Sequence, residues 1–281
     1  LSTLYPRFGN YAYPQIFGGA PADEGLLKKL HEALGFLNSF LEGHVYAVGK
    51  HLTIADLGLV ASVSTIDAAE ISLKDYPNTN KLPPGWHDRC SPSRPDDQMA
   101  IDLYYTPGSA PCRFVLLVAA ALDVNLNLKE LNLRAGDQLK PEFVKLNPQH
   151  AVPTIVDDGF ALSESQAIAR YLVNKYGKDS TLYPSDVKLR ALVDQRLDFN
   201  LATLYPRFAN YVYPQILGGA PADEGLLKKI HEALGFLNSF IEGHVYAVGK
   251  HLTIADLGLV ASVSTIDAAQ ISLKDYPNVL K

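Results

Sequence analysis

The stretch Ile101-Asp102-Leu103-Tyr104-Tyr105-Thr106-Pro107-Gly108-Ser109-Ala110-Pro111-Cys112 changes character at its midpoint. Ile101–Tyr105 is short, apolar and aromatic, and reads as a strand. Pro107-Gly108 is turn chemistry. Cys112–Leu122, rich in Val, Leu and Ala, reads as a helix. Downstream, Asn125–Leu133 alternates as a second strand, with Leu126, Leu128, Leu131 and Leu133 as inward candidates. A polar helix is expected around Gln138–Lys145. Val152-Pro153-Thr154-Ile155-Val156 enters a third strand. Phe160-Ala161-Leu162 returns as its hairpin partner across Asp157-Asp158-Gly159. Ser163–Tyr176 is the next helix.

This β-α-β-α-β-β-α order predicts a thioredoxin-like α/β domain over 99–180, with helices covering a small mixed sheet. The rest of the chain repeats itself. Residues 1–78 recur at 201–278 with seven differences: Ser2/Ala202, Gly9/Ala209, Ala12/Val212, Phe17/Leu217, Leu30/Ile230, Leu41/Ile241 and Glu70/Gln270. Two copies do not make a solenoid, so this is one module present twice. It reads as helical. Leu226, Ile230, Leu234, Leu237 and Ile241 form an amphipathic stripe, with Pro221, Asp223 and Glu224 near its start and Gly243 after its end. Thr253 begins a further helix, where Asp256 completes a capping box and Leu252 with Leu257 makes a staple. Thr53 and Asp56 repeat that signal. The expected organisation is a partial helical domain at 1–81, a linker at 82–98, the α/β domain at 99–180, and an all-α domain at 186–281 that is truncated at its end.

The linker holds four prolines in seventeen residues and no apolar period. The only methionine, Met99, reads as the natural start of a complete protein, with residues 1–98 a fragment of a sibling joined in front. In 281 residues, 47% apolar and 20% charged is ordinary globular composition. A net charge of −5 gives no reason to expect a nucleic acid or an anionic membrane as partner. Two cysteines cannot build a disulfide framework and suit a reducing compartment. With no long apolar run and no signal-peptide pattern at the start, a cytoplasmic location is expected.

Three features carry chemistry. Ser109 stands at a strand-to-helix turn, three residues before Cys112, where a thioredoxin-like fold places the first cysteine of a redox pair. Serine there removes the dithiol reaction. It reads equally as an N-cap and as a hydroxyl that donates to a thiolate beside a helix N-terminus. In Asn147-Pro148-Gln149-His150-Ala151-Val152-Pro153, a cis proline before the strand would leave the Val152 backbone free to pair with an extended peptide. His150 beside it reads as a surface residue or as a grip on a carboxylate or carbonyl. Glu164-Ser165, before a helix, reads as a cap, or as a carboxylate for an amine with helix N–H groups for a carboxylate. Together the three describe a pocket for a small peptide with a free thiol, an amino group and carboxylates.

Pro107-Gly108-Ser109-Ala110-Pro111-Cys112-Arg113, Leu139-Lys140-Pro141-Glu142-Phe143, Asn147-Pro148-Gln149-His150 with Pro153, Glu164-Ser165 and the Thr253–Asp256 box resemble the cytosolic glutathione S-transferases, in particular the insect delta class. The resemblance runs over 99–281, and over 1–78 for the helical domain only. It implies a glutathione transferase fold preceded by a duplicated all-α fragment. It implies glutathione as co-substrate, hydrophobic electrophiles as second substrates in detoxification, and no metal. Ser109 would be catalytic. Gln138, His150, Val152, Pro153, Glu164, Ser165 and Gln166 would hold glutathione. Pro111, Leu133, Tyr205, Phe208, Tyr211 and Tyr213 would meet the electrophile, although an aromatic stripe at three-residue steps reads by itself as core.

Three positions depart from the family pattern. Gln138 replaces a histidine, Gln166 an arginine, and Asn200 an acidic residue, so weaker glutathione binding is expected. The family implies a homodimer, and residues 1–78 are a candidate to take the partner's place by docking within the chain. The alternative reading is a non-catalytic glutathione or hydrophobic-ligand binder, or an inactive fusion of tandem duplicates. A redox role through Cys112 ranks third.

Overall fold

A computed structural model describes residues 7, 8, 11, 12, 15, 21–42, 63, 66, 71–79, 101–178 and 180–280. The 82–98 linker, Met99, Tyr5, Tyr13 and the Thr53–Asp56 box lie outside the described residues. The chain divides into two compact units, Leu1–Ser39 with Pro184–Lys281, and Phe40–Tyr183. The division cuts the first copy at the end of its helix α1 (Glu24–Phe40), where the sequence suggests a boundary at 81.

The second unit contains the sheet. Its elements are β1 (Ile101–Tyr105), α2 (Ala110–Ala121), β2 (Leu126–Glu130), α3 (Pro141–Leu146), β3 (Thr154–Asp157), β4 (Phe160–Ser163) and α4 (Ser165–Tyr176). The strand order is β2-β1-β3-β4. β1 runs parallel to β2 and antiparallel to β3, and β3 pairs antiparallel with β4. Leu103 and Ile155 on adjacent strands are fully buried, as are Val115 and Val118 of α2 and Ile168 and Leu172 of α4. The thioredoxin-like order read from the sequence is the one observed.

Three details differ, each for a local reason. Leu133, inward by the alternation of its segment, is 38% exposed. β2 ends at Glu130, and the chain leaves the sheet in a turn where Asn132 Oδ1 accepts the N–H groups of Arg134 and Ala135, both at 3.1 Å. The helix expected at Gln138–Lys145 is a 3₁₀ turn (Asp137–Leu139) followed by α3. Pro141 forces the break: it lacks an N–H, holds Lys140 extended (φ −65°, ψ 140°), and suits the first turn of a new helix. The helix expected from Ser163 begins at Ser165, because Ser163 is spent pairing with Thr154 in the sheet.

In the first unit, α5 (Val187–Phe199) continues through a π-helical turn, Asn200–Leu204, into α6 (Tyr205–Gly218). α7 (Glu224–Phe240) and α8 (Ile254–Ala268) follow. Asp223, a first-turn residue by its sequence position, is the cap of α7, its Oδ1 accepting the Leu226 N–H at 2.9 Å. The Thr253 box forms as read. Asp256 Oδ2 accepts the Thr253 N–H at 2.8 Å and hydroxyl at 2.7 Å, while Oδ1 accepts the Ala247 N–H at 2.7 Å. α8 is buried on most of its surface, with Ile254, Leu257 and Ile266 fully enclosed. Tyr276 and Asn278 tie the segment after α8 back to α7, through His231 (Nδ1 to hydroxyl, 3.0 Å) and Asn238 (Oδ1 to the Asn278 N–H, 2.9 Å).

Candidate glutathione site

Strand register brings the three motifs to one end of the sheet. Thr154 pairs with Tyr104 on one side and Ser163 on the other. Pro153 precedes Thr154, Glu164 follows Ser163, and the turn to Ser109 follows Tyr105. Tyr105 pairs in turn with Glu130, so the chain toward Leu133 and Gln138 leaves from the same end.

Ser109 caps α2. Its Oγ accepts the Cys112 N–H at 3.3 Å, and its carbonyl accepts the Arg113 N–H at 2.9 Å. Gly108 at φ 79° makes the approach, a conformation that favours glycine. The cap uses an acceptor lone pair. A hydroxyl also carries a proton to donate, so capping and thiolate stabilisation are compatible roles. Pro111 lies in the first turn, half-buried. Cys112 is enclosed, and burial pushes its thiol up to about 11, against the lowering effect of Ser109, Thr106 and Arg113. A thiol so enclosed and so raised is a poor nucleophile, in keeping with the low rank of the redox reading.

The second motif is built around a residue that is not among the sequence candidates. Asn147 is buried, and its Nδ2 donates to the Ala151 carbonyl at 2.9 Å and to Thr154 Oγ1 at 3.0 Å. Its Oδ1 accepts the Gln149 N–H at 3.0 Å. Asn147-Pro148 signals a turn in sequence, but only the fold turns its amide inward. The loop so held carries exposed His150 at φ 47° and ends in a cis Val152–Pro153 bond, as expected. Val152 is half-buried and Pro153 buried.

The third motif departs from its bland reading. Glu164 sits at φ 69°, ψ 107°, and no side chain caps α4. Ser165 lies in the first turn of α4, and Gln166 beside it is buried. Gln138 donates from Nε2 to the Leu133 carbonyl at 3.3 Å, while its Oε1 is buried without a hydrogen-bond partner.

In the other unit, the π turn sets the start of α6. Tyr205 and Tyr213 bring their hydroxyls to 2.6 Å. Phe208, 2% exposed, lies between their rings at 6.0 and 6.1 Å. Phe208 is thus core beneath the tyrosines rather than a free wall, as the stripe alone suggests. Tyr211 is half-buried. Buried Asn200 donates from Nδ2 to the Gly258 carbonyl at 3.1 Å, and its Oδ1 has no hydrogen-bond partner.

Residues 99–174 match the glutathione S-transferase N-terminal domain, and residues 6–91 match its C-terminal domain. A delta-class glutathione transferase of Nilaparvata lugens is 55% identical over 64% of this chain and 84% of that one, with a TM-score of 0.63. The chain belongs to the glutathione S-transferase family. A Bombyx mori glutathione transferase (43% identity, 65% of this chain and 85% of that one, TM-score 0.64) is also similar to this chain. So is an epsilon-class enzyme of the housefly Musca domestica (39%, 64% and 84%, TM-score 0.61). The C-terminal match falls on the first copy of the module, whose near-duplicate follows the sheet unit. Among the described residues, no helix is long and apolar enough to cross a membrane, and no cluster of His, Cys, Asp and Glu could hold a metal.

Proposed function

We propose that this chain conjugates glutathione to hydrophobic electrophiles, with Ser109 as the catalytic hydroxyl. The observation that carries the reading is the meeting, at one sheet end, of the Ser109 turn, cis-Pro153 and the Glu164–Ser165 start of α4. Val152 would pair with the cysteinyl backbone, His150 would face the cysteinyl–glycine end, and Glu164 with Ser165 would hold the γ-glutamyl end. A free thiol has a pKa of roughly 8.5, and lowering it by ~2 units needs about 2.7 kcal/mol of preferential thiolate binding. A charge-assisted hydrogen bond beside a helix N-terminus is of that size. The thiol proton leaves to solvent as the thiolate forms, and the sulfur then forms the C–S bond as the electrophile's leaving group departs with its electron pair. Ser109 keeps its proton throughout. Tyr205, Tyr211 and Tyr213 offer apolar bodies with polar tips for the electrophile, with Phe208 beneath them; Pro111 and Leu133 are assigned to the same role.

A conjugation assay with a generic aromatic electrophile tests this. Ser109→Ala should lower turnover about 100-fold, the loss of the thiolate stabilisation above. A second reading, a glutathione or hydrophobic-ligand binder without turnover, draws on Gln138. Its Nε2 already bonds the Leu133 carbonyl, and its buried Oε1 cannot bind a carboxylate. Glutathione binding without Ser109-dependent turnover would select it. We place the protein in the cytoplasm as a homodimer. Docking of residues 1–78 in the partner's place is the competing assembly, and the two predict different masses in solution.

A further inference from the structure

Asp157 takes no part in the roles above. It ends β3 and is 6% exposed. Its Oδ2 accepts three bonds, from the Tyr171 hydroxyl (2.8 Å), Lys175 Nζ (2.8 Å) and the Tyr176 hydroxyl (2.6 Å). All three donors lie in the second half of α4. Lys175 Nζ also donates to the Tyr171 hydroxyl at 3.1 Å and sits over both tyrosine rings, 5.5 and 5.1 Å from their centroids. Phe160 of β4 packs on the Tyr171 ring at 5.4 Å. Burial works against the Asp157 charge, and the bonds from Lys175, Tyr176 and Tyr171 overcome it, holding the carboxyl below its ordinary value. So enclosed a charge is retained only with such partners.

The topology gives this cluster a consequence for the site. β3 begins directly after Pro153, and α4 begins directly after Glu164. Because Thr154 pairs with Ser163, the N-terminal ends of β3 and α4 lie together at the glutathione end. Asp157 lies at the opposite end of β3, with the last turns of α4. The chain itself ties α4 to the sheet only at its start. The apolar packing of fully buried Ile168 and Leu172 holds α4 against its neighbours, and the Asp157 bonds add a directional restraint at the other end of the helix. A helix that slips by one residue moves about 1.5 Å. Three directional bonds onto one oxygen oppose that slip.

We propose that Asp157, with Tyr171, Lys175 and Tyr176, is a positioning clamp that sets the distance between the Val152 backbone and the Glu164–Ser165 turn, and through it the affinity for glutathione. The inference rests on the reading in which those two elements hold the two ends of glutathione. Asp157 touches no substrate and acts through α4.

The test uses the full chain and the variants Asp157→Asn and Tyr171→Phe. Asp157→Asn keeps the side-chain volume but leaves the Lys175 ammonium without its counter-charge. The Kd and KM for glutathione should rise about tenfold, as for a displacement of ångström size, while the KM for the electrophile stays unchanged. Tyr171→Phe removes one donor and should move glutathione affinity in the same direction by less. Amide hydrogen exchange at Val152 and at Gln166–Ile168, far from the substitution, should accelerate in both variants. Leu234→Ala in the other unit is the control for lost stability alone: it should lower Tm without changing the glutathione Kd. Unchanged glutathione Kd together with unchanged exchange at those amides overturns the clamp, as does a loss shared equally by both KM values. If Asp157→Asn does not fold, the same two measurements on Tyr171→Phe decide the question. A wild-type chain that does not bind glutathione defeats the functional reading instead, and the exchange rates still decide whether the cluster positions α4.

Discussion

Helices α1 and α7 are the same sequence but for Leu30/Ile230, set in two different places in one chain. In both, the preceding aspartate caps the helix at 2.9 Å (Asp23 to the Leu26 N–H, Asp223 to the Leu226 N–H). In both, arginine donates to a lysine carbonyl of the helix at 2.7 Å (Arg7 to Lys29, Arg207 to Lys229). The differences lie further out along the side chains. Arg207 reaches Glu232 at 2.7 Å, where Arg7 stands 3.5 Å from Glu32. Phe236, under the Arg207 guanidinium, is 44% exposed, and Phe36 is 67% exposed. Leu41 is fully buried while Ile241 is half-buried. Caps and helix hydrogen bonds follow the local sequence. What the side chains meet depends on the surroundings, and only one copy follows a Ser109 turn.

The largest expected effect comes from the shared core. Leu34 and Leu234 are both fully buried, so Leu34→Ala and Leu234→Ala should each cost about 3 kcal/mol in a urea unfolding experiment. A loss confined to Leu234 would break the equivalence of the copies. The caps come next. Asp23→Ala and Asp223→Ala should each cost about 1 kcal/mol, since the bonds have the same length. Unequal losses would mean that the surroundings, not the cap, govern the helix start.

The smallest effect is a pH dependence confined to the second copy as described. Burial, more than any bond, raises the Asp256 carboxyl, and the N–H of Ala247 with the hydroxyl and N–H of Thr253 only partly oppose it. A folded value above the unfolded one favours the protonated state. The stability Asp256 contributes is therefore full below the unfolded pKa of about 3.9 and declines as pH rises through the folded value. Asp256→Asn should flatten that decline in the unfolding midpoint above about pH 4. Asp157 has the opposite sign: its lowered carboxyl stabilises above the unfolded pKa, and that stability is lost as pH falls. Both carboxylates are buried and accept three bonds. The difference is the Lys175 ammonium, for which Asp256 has only neutral donors.

Much of the local structure at the candidate site was legible because its signals are short-range. Ser109 beside Gly108, Pro153 before a strand and Glu164-Ser165 before a helix are each readable within a few residues. The same window misled where the outcome depended on distant partners. Leu133 fits the alternation of β2, yet the Asn132 turn takes it out of the sheet. Glu164 has the position of a cap, yet at φ 69° it does not cap α4. Asn147 looks like a turn residue, and its buried amide holds the loop around His150. The π turn at Asn200–Leu204 left no mark in the apolar period.

The order of strands and helices, the capping box at Thr253, the duplication and the family were all determined by the sequence alone, because they rest on neighbours within a turn or two of the chain. The register that aligns Tyr104, Thr154 and Ser163 was decided only in the tertiary structure, and so was the convergence of Tyr171, Lys175 and Tyr176 on Asp157. Strand pairing and buried ion pairs join residues far apart in the chain. Their geometry exists only once burial has made every alternative partner unavailable.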